Sequence, residues 1–328
     1  MPPIRLVTVP PTPTVTIAIP VLDEAEHLAT CLDAIAAQTY SEIVEILVID
    51  GGSQDQTRDI AHAHAAVTLL ENPARIQSCA LNVALAHARG DIFVRVDGHC
   101  VIAEDYVERC VAALEKTGAA IVGGGMTPVA SGPIQSAIAA AMSSRIGAGP
   151  AKFHHSTSPS WVDTVYLGAY RTQDARAVGG YSPDLAINED AEFAFRMHDH
   201  GGIWLDPAIK STYSPRSTLP ALATQFFQYG RWRAVTVRRN PRSLSPRQVV
   251  APALVIGLLS PWRRMVLSAY LALIVGWSAM GRGRRPAATG VVLPAMHLPW
   301  GIGFLVGLVF GAPHTAASPR NVVTDAEQ

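Results

Sequence analysis

Between residues 15 and 122 the chain alternates short β-branched runs with longer stretches of helical period. The runs fall at 15–19, 46–49, 67–70, 92–96 and 119–122. This alternation predicts βαβ units and a mainly parallel sheet. Leu28, Cys31, Leu32 and Ile35 recur at i, i+3, i+4 and i+7, which predicts an amphipathic helix, and Asp23 with Glu26 three residues on resembles a capping box at its start. A second helix is predicted after Ser53, taken as its N-cap, and a third over about 75–88. From 123 to 159 Gly, Ser, Pro and Ala dominate, with GGG at 123–125, and the pattern predicts a flexible stretch around one helix, suited to a loop that orders on ligand binding. A further strand at 164–167 precedes NEDAEFAFRMHDHG (188–201), where Ala191, Phe195 and Met197 suggest a helix stopped by Gly201 and Gly202.

The pattern changes beyond Arg242. Residues 248–262, 265–281 and 286–313 carry no Asp, Glu, Lys or Arg. Only the last is comfortably long enough for the roughly 20 residues that cross a bilayer. The two shorter segments could pair, form a re-entrant hairpin or lie in the interface. Arginines 238, 239, 242 and 247, and 282, 284 and 285, outnumber those at 263 and 264, which fits a positive-inside arrangement with the N-terminal domain in the cytosol. The competing reading makes these segments the buried helices of a second soluble domain.

Composition sharpens this division. The 328 residues hold 26 basic and 26 acidic side chains, yet beyond Asp206 no Asp or Glu occurs until Asp325 and Glu327. The zero net charge therefore hides an acidic first half and a basic, apolar second half, an asymmetry that argues against nucleic acid as a partner. Cys31, Cys79, Cys100 and Cys110 form no C-x-x-C pair, so they read as small apolar residues in a reducing compartment. Repeated prolines in the first 20 residues exclude a signal-peptide apolar core. The expected organisation is a flexible N-terminus (1–13), an α/β domain (14–240), a membrane-associated region of two or three segments (241–313) and a polar tail (314–328).

Ligands of open parallel sheets bind beyond the carboxyl ends of the strands. Acidic residues collect at that edge: Asp23 and Glu24 after the first strand, Asp50 after the second, Asp97 after the fourth. In VIDGGSQDQT (48–57) glycines permit close backbone approach, and Asp50 could accept hydrogen bonds from a ribose or a base, although a capped βα turn explains the same residues. The stretch lacks both the G-x-G-x-x-G spacing and the P-loop lysine. RVDGHC (95–100) offers one oxygen from Asp97 and one nitrogen from His99 to a divalent ion, a donor set that suits Mn²⁺ better than Mg²⁺ and excludes neither. NEDAEF (188–193) sets Glu189, Asp190 and Glu192 at a helix start, where the helix dipole favours them and any of the three could serve as a general base. In QFFQYGRWRAVTVRR (225–239), Arg231 and Trp232 either sit at a membrane interface or contact a diphosphate and a sugar face.

Taken in order, IPVLDEAEHLATCLDAIAAQ, EILVIDGGSQDQT, ARGDIFVRVDGHC, VGGYSPDLAINEDAEFAFR and QYGRWRA resemble a family 2 glycosyltransferase of the GT-A fold over about residues 14–240. DGH, together with MHLPWGIGFLVG (296–307), looks most like the membrane-associated exopolysaccharide branch, which extends the resemblance over nearly the whole chain. The resemblance implies a Rossmann-like, mixed and mainly parallel α/β sheet followed by membrane helices. It places Pro20, Asp23, Glu24, Asp50 and Asp97 at the nucleotide-sugar donor, Asp97 and His99 at the D-x-D metal position, and Asp190 as the base. Gln228, Arg231 and Trp232 match Q-x-x-R-W and, with Glu189, are placed at the acceptor or diphosphate. The sequence departs from the common pattern in reading Asp at 23 where Asn is usual, DGGS where DDGS is usual, and Asp-Gly-His for D-x-D.

The resulting expectation is an inverting glycosyltransferase, of hexosyl type, that uses Mn²⁺ or Mg²⁺. It would move a sugar from a nucleotide donor, UDP-linked by preference, to a lipid-linked or polysaccharide acceptor at the cytosolic face of the inner membrane. A nucleotidyltransferase would need a basic Gly-rich loop where PVLDEAEHL is acidic. A non-catalytic membrane scaffold with a decayed metal site is the alternative.

Overall fold

The computed structural model describes residues 12–144, 146–147, 156–279 and 286–312. Nearly all of the expected flexible N-terminus, the polar tail, residues 148–155 of the glycine-rich stretch and Arg282, Arg284 and Arg285 lie outside the described residues.

Four strands, β1 (Val15–Val21), β2 (Ile43–Asp50), β3 (Val67–Glu71) and β4 (Ile92–Arg95), pair in parallel in the spatial order β3-β2-β1-β4. The sheet then changes character. β5 (Cys100–Ile102), β6 (Ile121–Pro128), β7 (Ser160–Val162), β8 (Tyr166–Arg171) and β9 (Ile203–Tyr213) add one parallel pairing, β6 with β9, and four antiparallel ones. The fold is thus mixed α/β, its sheet wholly parallel in the first half and mainly antiparallel in the second. Residues 121–128, expected in part to be a glycine-rich loop, form β6, because Gly123 and Gly124 let Val165 and the Ile209 carbonyl approach the strand too closely for side chains.

Alternation along the strands sends side chains to two layers. Val15, Ile17 and Ile19 meet α1 (Leu28–Ala36) and α4 (Tyr106–Thr117) on one face, through Leu28, Cys31, Leu32, Ile35, Val107, Cys110 and Leu114. On the other face Ala18, Leu47, Ile49 and Phe93 meet α3 (Gln77–His87) and α7 (Glu189–Met197). The predicted stripe of α1 is the buried one, but its predicted cap is not used: the helix starts at Leu28 after His27, with no side-chain cap. The next helix, α2 (Thr57–Ala63), likewise starts beyond Ser53. In α7 the buried positions are Phe193, Ala194 and Met197, while Ala191 and Phe195 turn toward the cleft. The acidic first turn faces the sheet edge, which rotates the apolar stripe away from the predicted one.

Two short helices, α5 (Pro133–Met142) and α6 (Thr172–Ala177), complete the α/β unit. Beyond it α8 (Leu219–Arg239) is followed by α9 (Val250–Leu259), α10 (Arg263–Ala279) and α11 (Pro286–Phe310). α11 lies directly on α8. A Cβ added at Gly303 or Gly307 would fall 2.0 Å from the Phe227 carbonyl oxygen and 2.3 Å from that of Arg231, so only glycine lets the two backbones come this close. α8 therefore joins the α/β unit to the apolar region across the expected boundary at 240. Residues 290–310 of α11 are long and apolar enough to cross a membrane, and two-fifths (39%) of the most apolar window is buried within the protein. α9 and α10 form a hairpin whose tip exposes Leu259 (83%), Trp262 and Met265.

Candidate functional site

A single cleft of about 2470 Å³ opens at the carboxyl ends of β1 and β4 and runs past the start of α7 to the apolar helices. It is lined by Asp23, Glu24, Asp97, His99, Glu189, Asp190 and Gln228. These residues come from four separate stretches of chain, three at the sheet edge and the fourth, Gln228, on α8.

The first wall is the β1 loop, held down by the β2 loop. Asp50 sits beneath the surface with its side chain fully shielded. It accepts from Ser53 Oγ at 2.5 Å, from the Ser53 and Gly52 amides at 3.1 Å each, and from Arg58 at 3.1 Å. Ser53 Oγ in turn accepts from the Asp23 amide (2.9 Å), Thr57 Oγ1 from the Glu24 amide (2.8 Å), and the Asp23 carboxylate from the Gln54 amide (2.7 Å). Asp23 stands at φ 54°, a left-handed conformation that these bonds stabilise. Asp50 thus shapes the loop that carries Asp23 and Glu24 and does not line the cleft, and Pro20, inside β1 opposite Ile49, does not line it either.

The second wall is the turn between β4 and β5. Asp97 Oδ1 accepts from Arg95 Nε at 2.9 Å and from Gln77 Nε2 at 3.0 Å. His99 Nδ1 lies 3.0 Å from Glu24 Oε1. The hydrogen bond to Glu24, stronger here than burial, raises the His99 pKa. Gly98 fits because a Cβ there would meet Val21 Cγ1 at 2.9 Å and Glu24 Cγ at 3.4 Å. Asp97, His99 and Cys100 present donor atoms within 4.8 Å of one another, the only such three-residue group among the described residues. Cys100 fits a metal poorly, since its buried thiol lies 2.6 Å from the Tyr166 hydroxyl and burial pushes its pKa far up. Asp97 and His99 fit well: Glu24 on Nδ1 leaves Nε2 as the ligating nitrogen, the arrangement of a carboxylate behind a metal-bound histidine.

The third wall is the first turn of α7, where the three adjacent carboxylates separate. Glu192 accepts from Arg196 at 2.7 and 2.8 Å and from Ser182 Oγ at 2.8 Å, and is structural. Glu189 is buried and accepts from Arg95 Nη1 at 3.2 Å. Burial, then the neighbouring Asp190, push its pKa up to about 7 despite Arg95, which Asp97 holds more closely. Asp190 is half-buried on the cleft, and its carboxylate accepts only from the Ala191 amide at 2.7 Å among the described contacts.

Arg95 is the residue that sequence reasoning missed. It is 6% exposed, at the end of β4, and spans from Asp97 to Glu189. An arginine closing a buried strand is itself a signal, since such a charge needs partners. Gln77 and Arg233, which also line the cleft, carried no readable pattern. Arg231 and Trp232 do not line it. Trp232 is buried against Leu185 and Val235, and Arg231 turns to the Gly311 carbonyl at 3.2 Å, because α8 presents that side to the protein interior and to the end of α11.

Comparison with known proteins identifies the family and the fold. The profile described as glycosyl transferase family 2 matches residues 16–156. The succinoglycan biosynthesis protein ExoA of Rhizobium meliloti is 34% identical over 307 residues, covering 88% of this chain and 93% of that protein. Among solved structures, the mannosyltransferase PcManGT from Pyrobaculum calidifontis, in complex with GDP-Man and Mn²⁺, superposes with a TM-score of 0.61 at 21% identity over 91% of this chain and 87% of that one. TarS of S. aureus in complex with UDP-GlcNAc gives 0.50 at 15% identity, covering 86% and 91%. These two likenesses show the fold. The relation to ExoA extends over nearly the whole chain, and the protein belongs to glycosyltransferase family 2.

Proposed function

We propose that the protein transfers a sugar, with inversion, from a nucleotide donor, UDP-linked by preference, to a lipid-linked or polysaccharide acceptor, in exopolysaccharide or cell-envelope assembly at the cytosolic face of the inner membrane. The observation that carries this reading is one cleft that holds Asp97 and His99 at one end, Asp190 at its middle, and the apolar side chains Leu254, Met265 and Leu273 of α9 and α10 at the other. A soluble acceptor gives no reason for that apolar end. The relation to a succinoglycan biosynthesis protein supports the pathway class, and the structures bearing GDP-Man and UDP-GlcNAc support the donor class. Membrane attachment rests on residues 290–310 of α11 and on the exposed apolar tip of the α9–α10 hairpin, beside Arg263 and Arg264.

In this reading Glu24 orients His99, and Arg95 fixes Asp97 by donating Nε to Oδ1 at 2.9 Å and Nη2 to Oδ2 at 3.4 Å. A divalent cation, Mn²⁺ or Mg²⁺, held by Asp97 and His99 would offset the charge that builds on the departing diphosphate. Asp190 takes the proton from the acceptor hydroxyl as that oxygen attacks the anomeric carbon, the C–O bond to the diphosphate breaks, and the new bond forms on the opposite face. Asp190 suits the role because its carboxylate is not tied to an arginine, whereas Glu192 is tied to Arg196 and Glu189 to Arg95.

The deciding experiment incubates the detergent-solubilised protein with a panel of UDP- and GDP-sugars and a membrane lipid extract, with Mn²⁺ or with chelator, and follows both diphosphate release and the product's anomeric configuration. Metal-dependent transfer with inversion is expected. Retention of configuration, or transfer indifferent to chelator, would overturn the corresponding part of the reading.

A further inference from the structure

Where the polar and apolar ends of the cleft meet, the structure leaves buried hydrogen-bonding capacity unused. Arg233, on α8, is 7% exposed, lines the cleft and donates one Nη2 bond to the Ser243 carbonyl, while its Nε has no partner. The Ser243 hydroxyl beside it is also buried without a partner. Arg247 lines the same wall, its side chain 28% exposed, and its one ion pair among the described residues is a 3.5 Å contact to the largely exposed Asp163. Arg242 lies on that wall as well. Burying an arginine with a donor unmet is costly unless something anionic arrives. Burial and then Arg247 bring the Arg233 pKa down to about 10, and Asp190 and Asp163, close enough for their charges to act on it, do not compensate.

The surroundings narrow the ligand. Directly beyond the arginines the wall becomes Val250, Leu254, Met265 and Leu273. On the other side stands Asp190, and the Asp97–His99 pair lies farther along the cleft. An anion seated here has a carboxylate on its polar side and an apolar trough on the other. A nucleotide's diphosphate has no use for the trough, whereas the phosphate of a lipid does.

We propose that Arg233, Ser243 and Arg247 form a binding site for the phosphate or diphosphate group of a lipid-borne acceptor, whose hydrocarbon chain follows α9 and α10. The proposal rests on the reading of the protein as a transferase to a lipid-linked acceptor, and assigns the group that anchors that acceptor. Arg233 and Ser243 supply the unused donors, Arg247 supplies a second charge at the mouth, and the sugar on the far side of the phosphate then reaches toward Asp190.

The test uses the full chain in detergent and two probes. Farnesyl diphosphate, a short lipid diphosphate, reports the proposed site, and UDP with Mn²⁺ reports the donor site, each titrated by calorimetry. Arg233→Gln and Arg247→Gln are each expected to weaken farnesyl diphosphate at least tenfold, with UDP affinity changed less than twofold. Arg247→Gln replaces a partly exposed side chain and preserves the test if Arg233→Gln does not fold. Failure of farnesyl diphosphate to bind the unmodified protein, or indifference to Arg247→Gln, would overturn the proposal. So would a parallel loss of UDP affinity, which would give the arginines to the donor. If farnesyl diphosphate behaves as expected but UDP never binds with metal, the donor reading fails while this site stands.

Discussion

The two ends of the cleft are built on opposite principles. At the sheet end the charged groups are already paired: Arg95 with Asp97 and Glu189, Glu24 with His99, Asp50 with Ser53 and Arg58. At the helical end Arg233 and Ser243 keep donors unmet, and the walls turn apolar. The first is a site held in shape before ligand arrives, as charge stabilisation at a reacting centre requires. The second is shaped to be completed by its ligand. If the acceptor is lipid-borne, as proposed, the contrast matches one end of the cleft to each substrate.

Asp190 lies between the two ends, and changing it should have the largest effect. Asp190→Asn is expected to slow transfer by about 10²- to 10⁴-fold, the usual contribution of a positioned base, with donor affinity nearly unchanged. Initial rates measured alongside UDP titration check this. Loss of donor affinity instead would move Asp190 from the acceptor side of the comparison to the donor side.

Arg95 tests whether the sheet end is preorganised by charge. Arg95→Met would leave Asp97 and Glu189 buried without their shared counter-charge, a change that typically costs about 3–5 kcal/mol. Urea denaturation of the detergent-solubilised protein should show the midpoint fall. An unchanged midpoint would mean that the two carboxylates pair with solvent and that the network is decorative.

How much of this was legible beforehand follows from the length and pattern of each element. The β1–β4 half was readable because its runs are four or more residues long, apolar, and separated by longer segments, the first of which, α1, has a clear helical period. The antiparallel half was not: β5 and β7 have three residues each, and β6 carries three glycines that read as a loop until Val165 and Ile209 are placed beside them. Asp97, His99 and Asp190 could be placed on a common cleft, because strand ends and helix starts meet at one sheet edge. The part that Asp50 and Asp23 play in tying the β1 and β2 loops together was not legible, since hydrogen bonds between two loops 30 residues apart leave no local spacing to read. Which arginine of the RWR run faces the cleft depends on how α8 rolls against α11, and that is set by Gly303 and Gly307, some 70 residues away.

Glu189 offers a pH test of the same buried network. Its carboxyl is raised from 4.5 to about 7 by burial and by Asp190. Below about pH 4.5 it is protonated both folded and unfolded, and its contribution to stability is at its fullest. Between about 4.5 and 7 the unfolded chain gives up the proton while the folded chain keeps it, so this stabilisation is lost as pH rises, and above about 7 the loss levels off. The whole change is at most about 3 kcal/mol. Glu189→Gln should flatten the fall between pH 5 and 7 when denaturation midpoints are compared with the unmodified protein. A wild-type profile that already rises across that window, with the variant following it, would show that Arg95 keeps Glu189 ionised.

His99 gives the smallest effect and the sharpest distinction within the sheet end. If Asp97 and His99 hold the cation, His99→Ala should weaken Mn²⁺-dependent UDP binding about tenfold, near 1.4 kcal/mol, because one ligand is lost while Asp97 remains fixed by Arg95 and Gln77. His99→Asp should hold affinity within a few-fold, since it restores the paired carboxylates of the common D-x-D. Glu24→Gln should lie between them, because the amide oxygen can still accept from His99 Nδ1 but no longer carries the charge that raises the ring's basicity. Titrations of all three with UDP, in Mn²⁺ and in chelator, separate the effects. If neither His99 variant changes the metal-dependent part, His99 only packs against Glu24, the cation rests on Asp97 alone, and the sheet end is a less complete site than its ion pairs suggest.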